Sequence, residues 1–66
     1  MINLLMNRIR KAVADLDLGI PPSMFYADPL AATNRALRAV GSPSIDNIKE
    51  HSLVLRAVMT LEGSVE

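Results

Sequence analysis

Leu53-Val54-Leu55-Arg56-Ala57-Val58-Met59-Thr60-Leu61 is the stretch on which the fold turns. Wound as a helix, it is apolar nearly all round. Only Arg56 and Thr60, with Lys49 a turn or two earlier, mark a narrow polar stripe. A helix that is apolar on every side is buried on every side, and this one is far too short to cross a bilayer. Its β-branched residues keep a strand as the alternative reading. Read as helix, it makes the chain all-α. It also raises a problem of cover, because two further helices of a 66-residue chain do not easily enclose it. The expectation is a small fold completed by oligomerisation.

Upstream of this stretch, Gly41-Ser42-Pro43-Ser44 is a stop followed by a restart. Ser42 with Pro43, or Ser44, can cap a helix, and Asp46 suits its positive end. Helix three is therefore expected over 43–61, with Ile45, Ile48 and Ser52 inward and Asp46, Lys49 and Glu50 outward. Before it, Asp28-Pro29 opens helix two, expected over 29–40, since aspartate accepts free amide protons at an N-cap and proline suits the first turn. Its apolar positions divide into Leu30, Leu37 and Val40 with Thr33 on one side, and Ala32, Ala36 and Ala39 roughly opposite. That pattern predicts packing on two sides. Helix one is expected over 2–18. Ile2, Leu5, Ile9, Val13 and Leu16 form one stripe at steps of three or four, and Gly19 then Pro21-Pro22 end it. The connector Ser23-Met24-Phe25-Tyr26-Ala27 carries both aromatics and is expected to pack down on the helices, with room for one helical turn capped by Ser23.

Composition narrows the classes of function. Half the residues are apolar, and seven Lys/Arg balance seven Asp/Glu, which excludes a disordered chain. The sequence contains no cysteine, so disulfides and thiolate zinc sites are ruled out. One histidine makes a protein-only metal site improbable, and no cofactor is expected. Zero net charge gives little long-range attraction to nucleic acid or to an acidic membrane. Asn7, Arg8, Arg10 and Lys11 interrupt the apolar start too soon for a secretory signal, so a cytoplasmic chain with no membrane role is expected. A core this small supplies about 3–5 kcal/mol, another reason to expect a partner subunit.

Catalytic arrangements are sparse. His51 is the side chain best suited to acid–base work near neutrality, but its sequence neighbours Glu50 and Ser52 do not face it on a helix. Asp15 and Asp17 lie about 200° apart on a helical wheel and cannot share a proton. The three glycines stand alone and form no phosphate loop. The chain reads as a single domain over 1–66 and as a non-enzyme.

Two binding readings remain. The favoured one is a small helical binding or regulatory protein, an inhibitor, adaptor or assembly subunit of the kind found in bacteria and phages, which meets itself or another protein. Leu53, Leu55, Val58, Met59 and Leu61 would supply apolar area, Phe25 and Tyr26 aromatic anchors, and Arg56 a charged contact. The alternative is a helix-turn-helix-like DNA-binding corner of helices two and three, using Arg35, Arg38, Ser44, Asn47 and Lys49. Asp46 and Glu50 among those residues oppose phosphate, so nucleic acid is the weaker expectation.

Overall fold

Helix α1 spans Ile2–Leu16, α2 Pro22–Ala27, α3 Pro29–Ala39 and α4 His51–Gly63 in the computed structural model, which describes residues 2–65. The fold is all-helical, with four helices rather than three. The side chain of Ile2, expected on the inner stripe, and Glu66 of the tail lie outside the described residues.

α1 obeys its periodicity. Leu5, Ile9, Ala12 and Val13 are buried and Leu16 is half-buried. The helix ends two residues earlier than expected because Asp17, not Gly19, makes the first left-handed turn, at φ 54°. The Leu18 amide donates to the Val13 carbonyl at 3.4 Å and the Asp17 amide to Ala14 at 3.1 Å. This is a Schellman cap. Gly19, also at positive φ, then redirects the chain.

The connector is a helix of its own. Pro22 occupies the first turn of α2, and Pro21 stands at the N-cap with no side-chain hydrogen bond. Ser23 is therefore not the cap; it is exposed. Asp28 closes α2 and opens α3 at once. Its amide donates to the Met24 carbonyl at 2.8 Å, and its side chain accepts from the Ala31 amide at 3.1 Å. Pro29 follows at the first helical position, as expected.

α3 ends at Ala39 in a second Schellman cap. Ser42 donates to Leu37 at 2.9 Å and Gly41, at φ +76°, donates to Arg38 at 3.0 Å. No atom would meet a Cβ at Gly41, so backbone conformation alone asks for glycine there. The two-sided packing of α3 is corrected. Ala32, Thr33, Ala36 and Leu37 form one buried arc, about 140° wide at 100° per residue, while Ala39 is exposed. The alanines adjoin the leucine row; they do not oppose it. Within that arc the Thr33 hydroxyl is buried without a hydrogen-bond partner. Thr33→Val keeps the shape and removes the orphaned group, so it is expected to stabilise the fold by about 1 kcal/mol, read as a rise in melting temperature of roughly 4–8 °C. A fall would mean that the hydroxyl has a partner in solution.

The largest departure is residues 43–50, expected as the first half of a helix and found as irregular chain. Ser42 and Ser44 cap nothing, and Asp46 complements no helix start. Two asparagines explain this. Asn34 on α3 holds the backbone of Ile45 on both sides: its Oδ1 accepts from the Ile45 amide at 2.8 Å and its Nδ2 donates to the Ile45 carbonyl at 3.0 Å. Asn47 accepts from the amides of Lys49 and Glu50 at 3.0 and 2.9 Å. Groups that a helix would use for its own ladder are thus taken by side chains. α4 begins only at His51 and runs two residues past the expected end, to Gly63.

The helical reading of 53–61 holds and the strand alternative falls. The cover problem is solved within the chain. Val54, Ala57, Val58 and Leu61 face α1 and α3 and are buried, together with Phe25, Ile20 and Ile45. The accessible surface is 4190 Å² and the radius of gyration 10.2 Å. A folded monomer of this mass exposes roughly 4,100 Å² and has a radius near 11 Å. The chain therefore closes as fully as an ordinary monomer does, and the burial argument for an obligate oligomer loses its premise.

Candidate functional site: an apolar row across the α1–α4 seam

Three large apolar side chains are strongly exposed among the described residues: Leu4 at 63%, Met59 at 62% and Tyr26 at 74%. Two of them belong to one face. On α1, Leu4 stands one turn before Arg8. On α4, Leu55 stands one turn before Met59, and Glu62 follows three residues later, so these side chains share a side of their helices. Arg8 and Glu62 tie the two rows together. Arg8 Nε donates to Glu62 Oε2 at 2.9 Å and Nη2 to Oε1 at 2.5 Å, a two-point fork. Leu4, half-buried Leu55 and Met59 thereby fall on one side of the molecule, beside that pair. The fork raises the affinity of Arg8 for its proton and holds the Glu62 carboxyl below the usual glutamate range, mainly through the hydrogen bonds. The pair's contribution is thus present above the ordinary glutamate range and is lost as pH falls through the lowered value. Both side chains are well exposed, so solvent screens it.

The other expected contact residues disperse. Val58 and Leu61 are fully buried and present no surface to a partner. Phe25 is buried at the floor of a groove between α1 and α2, and Tyr26 stands at its mouth. Arg10 lies 4.9 Å from the centre of the Tyr26 ring and also hydrogen-bonds its hydroxyl and the Asn7 side chain. The tyrosine is therefore partly occupied by an intrachain cation–π contact. Leu53 is half-buried against the core. Arg56 is exposed and lines a different cleft, beside Ser42 and Thr60.

Nor do the nucleic-acid candidates form a reading helix. Eleven residues, 40–50, separate α3 from α4, where a helix-turn-helix has a short turn. Ser44, Asn47 and Lys49 stand on that irregular connection, and Asn47 is engaged with backbone amides. Arg35 and Arg38 are exposed on α3.

For catalysis there is little geometry. His51 is exposed at the first turn of α4. Asp15 pairs with Lys11 at 3.2 Å on the surface. Among the described residues no three His, Cys, Asp or Glu side chains converge as metal ligands, and no helix is long and apolar enough to cross a membrane.

Sequence reasoning missed Leu4, although its wheel position among Asn3, Asn7, Arg8 and Lys11 marks it as an apolar residue on a polar face. No comparable signal announces the Arg8–Glu62 fork, whose members lie 54 residues apart. No model of a known protein family matches this chain, and no curated protein or solved structure matches it either.

Proposed function

We propose that this chain is a non-enzymatic helical binding protein whose α1–α4 face meets another protein surface, with a second copy of itself as the occupant. The row of exposed Leu4 and Met59 with half-buried Leu55 carries the reading, since Leu4 and Met59 leave over three-fifths of their surface in water. Methionine and leucine adapt to an irregular partner surface. The Arg8–Glu62 fork beside the row presents both signs of charge, and a two-fold pairing can match such a face with itself.

Size sets the strength. A standard interface buries about 800 Å² per partner, a fifth of this molecule's surface, and three side chains supply only part of that. The association is therefore reversible and concentration-dependent, not a condition of folding. Sedimentation velocity from about 10 μM to 1 mM is expected to show a rising average mass. Met59→Glu places a charge in the contact, and such a charge is costly when buried. It should return the protein to monomer while leaving its melting temperature within about 2–4 °C, as for other surface changes. A constant monomer mass across that range would overturn the self-association reading.

A further inference from the structure

The last turn of α3, the segment 42–45 and the outer side of α4 enclose a cleft of about 120 Å³. Its one charged lining residue is basic. Arg56, Ser42, Ser44 and Thr60 are its polar lining residues, Leu37, Pro43, Ile45 and Ala57 its apolar ones, and no acidic residue lines it. Among the described residues Arg56 has no ion-pair partner, the two ion pairs there being Arg8–Glu62 and Lys11–Asp15. The α3 carbonyls nearest the cleft are already satisfied, since Leu37 and Arg38 accept from the amides of Ser42 and Gly41. The residues around the cleft thus include one arginine and three that carry hydroxyls, with no competing acid among them. Arginine supplies a planar fork suited to phosphate or carboxylate, and hydroxyls turn to donate as the ligand requires. A volume of this size is several times the roughly 30 Å³ of a water molecule in the liquid. It has room for a small tetrahedral anion.

We propose that this cleft is an oxyanion site that takes a phosphate group, with Arg56 as the charged anchor and Ser42, Ser44 and Thr60 as neutral donors. It is independent of the α1–α4 face, from which Arg56 points away by more than a quarter-turn of α4 relative to Leu55. With zero net charge on the chain there is no long-range steering, so affinity rests on the local donors and falls in the region of ~1 mM.

The test is a titration with inorganic phosphate, and in parallel with acetate, each against sodium chloride at equal ionic strength. It is followed by amide NMR shifts of Ser42, Ser44, Ile45 and residues 56–60. Phosphate is expected to give saturable shifts confined to those residues, with weaker effects from acetate and none from chloride. Arg56→Gln, at an exposed position that leaves the melting curve in chloride unchanged, should weaken phosphate binding at least ~10-fold, as loss of a charge-assisted bond implies. Arg35→Gln, exposed on α3 and outside the cleft, should change it less than ~2-fold and controls for general attraction to cations. Shifts shared with chloride, binding that survives Arg56→Gln, or an equal loss in Arg35→Gln would overturn the site. Tighter binding of acetate would overturn its assignment to phosphate.

Discussion

Replacing Ile9 by alanine is expected to bring the protein to the edge of unfolding at 25 °C. Ile9 sits at the centre of the α1 stripe and is fully buried, packed in the same cluster as Val54, Val58 and Leu61. Truncating a buried isoleucine to alanine costs about 2–5 kcal/mol, the lost transfer energy plus the cavity left behind. A chain of this length has only about 3–10 kcal/mol of total stability, and a core of this size sits at the lower end. One such change therefore consumes most of what holds the fold. Urea unfolding followed by circular dichroism would read it directly. Leu4→Ala on the same helix is the matched control. Leu4 is 63% exposed, so its truncation is expected to fall within about 0.5 kcal/mol of zero. Comparable losses at the two positions would mean that α1 does not bury the face assigned to it.

The second large effect is expected at Asn34. Among the described residues its side chain is the only group that satisfies both the amide and the carbonyl of Ile45, and Ile45 itself is buried. Asn34→Ala orphans two backbone groups in a part-buried setting, where each unsatisfied group costs about 1–3 kcal/mol. Water reaching the released segment recovers part of this, so a net loss of about 2 kcal/mol is expected. The more telling readout is local. Amide hydrogen exchange at Ile45 should accelerate far more than at Val58, because the segment opens without the core. Asn34→Asp separates the two bonds: it keeps an acceptor for the Ile45 amide but sets a carboxylate against the Ile45 carbonyl. It should rescue protection at that amide only in part. Unchanged exchange at Ile45 in Asn34→Ala would show that the clamp does not hold the connector.

Asn34 also marks where reading the chain in one dimension stops working. On a helical wheel it is one more polar residue, next to Arg38 and Arg35. Its partner lies 11 residues on, beyond the three- and four-residue spacings at which neighbours on a helix meet. Ile45 and Ile48 keep the spacing of a helix, and Ser42 or Ser44 offers a cap, so local logic extends helix three back to 43. The tertiary clamp outbids that logic, since two hydrogen bonds to a docked asparagine satisfy the same backbone groups while Ile45 is still buried. The consequence reaches function, because the short turn on which a helix-turn-helix reading depends disappears with those eight residues.

The seam site divides in the same way. Met59 and Leu55 were legible as surplus apolar residues on α4, whereas Val58 and Leu61 on the same helix turned out to be core. A wheel shows that a helix is apolar all round; it does not show which arc its neighbours will take. Leu4 entered the site only when the Arg8–Glu62 fork fixed how the two helices lie together.

What the sequence by itself determined are the features whose physics is local: the apolar stripe of α1, the Asp28-Pro29 start of α3, its glycine stop at Gly41, and the helical state of 53–61. Each depends on dihedral preference, capping or a period of 3.6 residues, all contained within a few neighbours. Only the tertiary structure decided the rest. The unwinding of 43–50, the single buried arc of α3, the enclosure of α4 by its own chain and the exposed row at the seam depend on which distant groups meet. Contacts across 11 or 54 residues leave no periodic trace in the chain that makes them.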